Sequence, residues 1–307
     1  MILLPMLLYL LWSSSFPLGK LLLSFGPPVF LTGARMFLAG ALLMGYLLIR
    51  RKVRLSGKQW LSVGLLAVFS IYLTNICEFW GLQHLSAAKT CFIYSLSPFF
   101  AALFSYLHFG EKMSLQKWIG FGVGFLGFLP VLFMQSGSED LFALGGWLSL
   151  PELAVMGAAL FSVYGWVILR VCVKEQEVSP LMANGSSMLI GGAMALIHSY
   201  FVDTWAPLPV EMANLGVFMK GILLVTFVSN IVCYNFYGYL LKRFTATFLS
   251  FVGLLSPIFA SLTSWALLGE RPSMVICLST CVVLIGLWIV YRAELQQGYV
   301  KKPVAIN

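Results

Sequence analysis

The chain has 307 residues, of which 60% are hydrophobic and only 10% charged, with a mean hydropathy of +0.92. A soluble domain of this size needs roughly a quarter of its residues charged to cover its surface, so a soluble fold is excluded. The net charge of +8 raises nucleic acid as a partner, yet the basic residues fall mostly in short loops between apolar runs. That is a topology signal, not a binding face, and no nucleic-acid partner is expected.

Crossing a ~30 Å hydrocarbon core takes about 20 helical residues. The apolar runs predict an all-α membrane protein of ten transmembrane helices, near 2–25, 29–49, 60–84, 87–107, 115–134, 146–170, 180–201, 216–238, 246–267 and 274–292. The first run has no basic n-region and no small-residue cleavage site, so it reads as a retained helix. It contains Trp12, Ser15 and Phe16, and the second span contains Arg35. The third contains Asn75, Glu78 and Phe79; Lys89 and Tyr94 lie near the start of the fourth. The glycine-rich fifth span reads as a close-packing surface. Its Gly122-Val123-Gly124-Phe125-Leu126-Gly127 fits a dinucleotide pattern, but inside a membrane span without βαβ context the match is void. The sixth span holds Phe161 and Tyr164, and the eighth holds Asn230, Tyr234 and Asn235. Asn184-Gly185-Ser186 resembles a glycosylation acceptor but lies within the seventh span.

The six cysteines lie mostly within apolar runs and show no metal-ligand spacing with histidine. They read as small apolar residues, with no disulfide framework. The three histidines are scattered, and no serine stands with a histidine and carboxylate in a triad order. No metal, cofactor or enzymatic activity is expected.

Basic residues set orientation. With a cytoplasmic N-terminus, inside loops, helix ends and the tail hold fourteen of the nineteen Lys and Arg residues, from Arg50 and Arg51 through Lys112, Lys117, Arg170 and Lys174 to Lys301 and Lys302. Outside segments hold four: Lys20, Lys89, Lys220 and Arg271. Arg35 lies within a span. Both termini are therefore expected in the cytoplasm.

The two halves repeat. Residues 94–114 (YSLSPFFAALFSYLHFGEKMS) match 253–273 (GLLSPIFASLTSWALLGERPS) at ten of 21 positions with an offset of 159. Five spans per half is an odd number, so the second copy enters the membrane inverted. The expected organisation is a first repeat at 1–134, a periplasmic linker at 135–145, a second repeat at 146–292 and a cytoplasmic tail at 293–307. Inverted repeats are a recurring design of secondary transporters, whose halves exchange conformations around a midplane site.

Trp12-Ser13-Ser14-Ser15-Phe16-Pro17, Ala34-Arg35-Met36-Phe37-Leu38-Ala39-Gly40, Gly81-Leu82-Gln83-His84-Leu85-Ser86-Ala87 and the doubled Ser-Pro…Gly-Glu segments carry a family resemblance over nearly the whole chain. In order and doubling they resemble the EamA type of the drug/metabolite transporter superfamily. The second half lacks a clear copy of the Ala-Arg-x-x-x-Ala-Gly motif. The resemblance implies a ten-helix carrier with a central cavity, working by alternating access without an ATPase module; the chain is expected in a bacterial inner membrane, as a monomer or weak dimer. Within the family the chain looks like carriers of obligate intracellular bacteria that exchange S-adenosylmethionine for S-adenosylhomocysteine.

Charges inside a span cost at least ~2.5–3.5 kcal/mol each on insertion scales and so mark sites. Arg35 and Glu78 stand out, with the shallower Lys89. Arg35 or Lys89 would hold a carboxylate and Glu78 a cation or the coupling proton. The structural alternative is an ion pair such as Glu78 with Lys89. Asn75 shares a helix face with Glu78. Aligning Gly81 with Gly238 brings Asn230, Tyr234 and Asn235 to the matching stretch, with Asn235 in the place of Glu78. Interhelical hydrogen bonding is the plainer reading of these polar groups. The aromatic candidates Trp12, Phe16, Phe79, Tyr94, Phe161, Tyr164 and Tyr234 suit a planar ring or a cation, or simple packing. A small, zwitterionic substrate is expected. The rival readings are a proton-coupled exporter of amino acids or drugs and, more remotely, an intramembrane enzyme.

Overall fold

The computed structural model describes residues 3–13, 15–51, 55–85, 90, 93–94, 96–135, 149–256, 258–259 and 274–299. Among them there is no strand. The principal helices are α1 (Leu3–Ser13), α2 (Ser15–Leu23), α3 (Pro28–Ile49), α4 (Gly57–His84), α5 (Ser97–Phe109), α6 (Leu115–Gln135), α7 (Leu150–Glu175), α8 (Pro180–Val202), α9 (Met212–Leu240), α10 (Ala246–Leu255) and α11 (Met274–Gln296). By length and composition, six of these are able to cross a membrane: α3, α4, α7, α8, α9 and α11.

Their ends follow local chemistry. Pro28 starts α3 and Pro180 starts α8, where a missing N–H costs nothing. Ser56 and Gln59 cap α4 reciprocally, and Ser179 Oγ accepts from Met182 N at 3.2 Å. α5 stops at Gly110, whose φ of +64° suits glycine. α11 runs four residues beyond the predicted edge at 292, because the carboxylate of Glu294 finds partners inside the protein.

The described chain divides into two compact units, each drawing on both sequence halves. The first lies within Met1–Ser14, Ser86–Leu148 and Arg243–Asn307; the second lies within Ser15–Leu85 and Ser149–Lys242.

In the second unit α3 and α8 form the most extensive helix contact. Gly33 faces Leu196, Gly40 faces Leu189, Gly192 faces Phe37, and Gly185 faces Leu43 and Met44. Numbers rise on one helix as they fall on the other, so the pair is antiparallel. A Cβ at Gly33 would sit 2.8 Å from the Leu196 backbone nitrogen, so glycine sets the approach. The contact is also self-complementary. A shift of 152 carries Gly33 and Gly40 onto Gly185 and Gly192, and turns Gly33–Leu196 into Gly185–Met44 and Gly40–Leu189 into Gly192–Phe37. Met36 and Met188, related by the same shift, lie together in one buried cluster with Ala39, Leu43 and Ile71.

In the first unit α6 and α11 pack the same way. Gly127 faces Val282 and Val283, and Gly286 faces Gly124. These contacts exchange under a shift of 159, the offset of the Ser-Pro…Gly-Glu segments. The close-packing role expected of the glycine-rich span is therefore present. This unit also buries an ion pair. Lys117 Nζ lies 3.1 Å from Glu294 Oε1, with side chains 2% and 0% exposed. Thr245 Oγ1 lies 2.7 and 2.8 Å from the two Glu294 oxygens and caps α10 by accepting from Phe248 N at 2.9 Å.

Candidate functional site

The second unit gathers most of the predicted polar residues in one place. Arg35, on α3, is 6% exposed. Its Nη2 donates to Asn75 Oδ1 across to α4, and its guanidinium lies 4.6 Å from the centre of the Phe79 ring. Phe79 is itself backed by α2, because Gly19 leaves room for its edge. The Tyr234 side chain, on α9, lies beside Asn75 and in the fields of Arg35 and Glu78. Three helices thus converge on one cationic, one anionic and two aromatic side chains. Glu78 and Tyr234 are half-buried, while Asn75 and Phe79 are buried.

Local backbone geometry aims these groups. α4 is π-helical over Ala67–Leu73 and α9 over Thr226–Cys233. Such stretches are rare and recur at functional sites, because the extra residue loosens the carbonyl ladder. Asn75 takes up two of those carbonyls, donating from Nδ2 to Ile71 O at 2.8 Å and to Ser70 O at 3.2 Å. That anchors its amide so that Oδ1 points at Arg35. No feature of hydropathy signals a π-helical stretch, and sequence reasoning missed both.

A second, neutral frame stands beside the first. Asn235 Nδ2 donates to Ile231 O at 2.7 Å, and its Oδ1 accepts from Asn184 Nδ2 of α8 at 3.2 Å. Asn184 Nδ2 also reaches the Tyr234 carbonyl at 2.9 Å. This bonding pairs Asn235 with Asn75, and Ile231 with Ile71, at an offset of 160. The alignment through Gly81 and Gly238 therefore slips by three residues: Gly238, not Asn235, stands where Glu78 does. By the α3–α8 shift, Ser187 stands where Arg35 does, so a degenerate second copy of the α3 motif exists as Gly185-Ser186-Ser187-Met188…Gly192. Sequence reasoning missed Asn184 and Ser187 because the polar side chains that differ between the copies concealed the shared glycines and methionine.

The remaining predicted residues lie elsewhere. Asn230, fully buried, contacts Met36 Sδ through Nδ2, and its Oδ1 has no hydrogen-bond partner among the described residues. Tyr164 meets Phe69 edge-on at 4.9 Å, and Phe161 packs on the same Phe69 at 6.0 Å, which is packing between α7 and α4. Trp12 stacks on Tyr9 in the first unit, to which Tyr94 also belongs. Lys89 lies outside the described residues, as do the side chains of Ser15 and Phe16. A groove of about 610 Å³ opens among Ser24, Asp203, Glu211, Asn214 and their neighbours. None of the predicted site residues lines it.

Residues 1–133 and 149–292 match the EamA-like transporter family. A protein of Chlamydia trachomatis serovar L2, named S-adenosylmethionine/S-adenosylhomocysteine transporter, is 41% identical over 292 residues, covering 94% of this chain and 88% of its own. The protein of the same name from Chlamydia muridarum is 40% identical over 304 residues, covering 96% and 95%. A solved crystal structure superposes with a TM-score of 0.73 over 95% of this chain and 97% of its own, at 17% identity, which is a likeness of fold alone.

Proposed function

Since this chain belongs to the EamA-like transporter family, we propose that it is a secondary carrier exchanging S-adenosylmethionine for S-adenosylhomocysteine across a bacterial inner membrane. The observation that carries this reading is the near full-length 41% identity to relatives of that name. The Arg35–Asn75–Glu78 cluster agrees with it, because both metabolites end in an α-amino acid, one carboxylate beside one ammonium. A guanidinium binds a carboxylate through a planar fork, and Glu78 suits the cationic groups. Phe79 and Tyr234 add faces that attract cations.

Alternating access is the mechanism that the packing favours. Self-complementary, antiparallel contacts, α3–α8 within one unit and α6–α11 within the other, are of the kind that inverted repeats would produce. On this reading ten helices cross the membrane and both termini lie in the cytoplasm. The π-helical stretches of α4 and α9 place loosened backbone beside the site, where a change of helical register moves Asn75 or Tyr234 at small cost.

Proteoliposomes test the reading. Vesicles loaded with unlabelled S-adenosylhomocysteine should take up labelled S-adenosylmethionine, and empty vesicles should not. Glu78→Gln and Arg35→Ala should each lower uptake at least about tenfold. Uptake that ignores internal counter-substrate and follows a pH gradient would replace exchange by proton coupling.

A further inference from the structure

The turn between α3 and α4 carries more positive charge than orientation or the repeat calls for. Residues 50–58 hold five basic residues, Arg50, Arg51, Lys52, Arg54 and Lys58, and no Asp or Glu. Taking these five from the fourteen on the expected cytoplasmic side still leaves nine against four, a bias of the same sign. The shift of 152 that relates α3 to α8 carries residues 50–58 onto 202–210, which hold one acidic residue and no basic one. Of the five, Arg50, Arg51 and Lys58 are described and exposed, and none of them pairs with a carboxylate among the described residues. The Arg50 guanidinium lies 5.6 Å from the centre of the Tyr46 ring.

The helix ends that flank the turn are apolar on the outside. On α3, Leu42, Tyr46 and Ile49 recur at helical spacing and are exposed, Ile49 at 83%. On α4, Trp60, Leu61 and Leu65 are exposed. A tyrosine and a tryptophan between cations and aliphatic side chains mark the level at which headgroups meet hydrocarbon. We propose that this turn binds an anionic phospholipid, its phosphodiester between Arg50, Arg51 and Lys58 and its acyl chains along the apolar ends of α3 and α4. Arginine meets phosphate oxygens through a planar fork. Lys58 stands in the first turn of α4, where the helix's own partial positive charge opposes a cation, and a bound anion relieves both. A soluble phosphate would use the cations alone, whereas a lipid also covers the apolar side chains. The inference is independent of which solute the carrier moves.

Native mass spectrometry of the purified full chain in neutral detergent tests it, with phosphatidylglycerol and phosphatidylcholine of equal acyl chains in competition. The unaltered protein should retain phosphatidylglycerol about tenfold or more in preference. Joint replacement Arg50→Gln, Arg51→Gln and Lys58→Gln should remove that preference. Joint replacement of three exposed cations elsewhere on the expected cytoplasmic side, Lys112→Gln, Lys242→Gln and Arg292→Gln, removes the same charge and should leave it. Where the first triple variant does not fold, Arg51→Gln alone should lower the preference by about fivefold. No preference in the unaltered protein overturns the proposal, and so does a preference that survives the substitutions in the turn. Equal loss in both triple variants overturns it too, because net charge then attracts the lipid without a site. Excess glycerol phosphate should not displace the lipid; displacement would make the ligand a soluble phosphate instead.

Discussion

At the scale of single residues, burial decides which charges matter. Lys117 reads in the sequence as one of the loop cations that set orientation, yet it is 2% exposed and paired with a Glu294 that no solvent reaches. Taking both charges out of water offsets most of their attraction, so the pair adds little net stability. Removing one partner is different, because it strands the other. Lys117→Met should cost about 3–5 kcal/mol, read as a lowered thermal midpoint in detergent. Adding Glu294→Gln to it should recover part of the loss, since the glutamine still accepts from Thr245 without a charge. A double variant as unstable as the single one would mean that the charge itself is not what the fold tolerates poorly. Arg35 follows the same logic. Its Nη2 donates to the Asn75 amide oxygen and its guanidinium lies over the Phe79 ring, so removing those partners should destabilise the buried charge in the same way.

At the scale of helices, glycine placement governs the architecture. Gly40 and Gly192 bring α3 and α8 together until backbone meets backbone, whereas Gly45, on the same helix as Gly40, has no atom within 4 Å of an added Cβ. Gly40→Ala and Gly192→Ala should each destabilise by about 1–3 kcal/mol through overpacking. Gly45→Ala should melt with the unaltered protein or slightly above it, because alanine is the better helix former. Equal melting of all three variants would show that the α3–α8 contact does not set the spacing. Since the two sites exchange under the internal shift, their penalties should also be similar.

At the scale of the whole molecule, charge bias and repeat make one joint prediction. On the proposed reading, the fourteen-to-four distribution of basic residues and two inverted five-helix repeats would each put both termini on the same side. Cysteine or epitope tags at residues 1 and 307 should therefore react from the cytoplasmic face alike. Labelling from opposite faces would remove the inverted repeat and, with it, the alternating-access account.

Much of this protein was open to reading along the chain. Membrane class follows from composition, because too few charges exist to cover a soluble surface. The edges of α3, α4 and α8 came within about three residues of those predicted, since hydropathy and caps act locally. The repeat was visible as identity at an offset of 159, and Arg35, Asn75, Glu78 and Tyr234 stood out as polar groups in apolar spans. What sequence left undecided was non-local. Division into units that each mix both halves, burial of Lys117, the π-helical stretches and the pairing of Asn235 with Asn75 depend on which helix faces which. A hydropathy profile records how much each segment avoids water, but not which neighbour it meets. Only the packed structure decides where a polar side chain finds its partner.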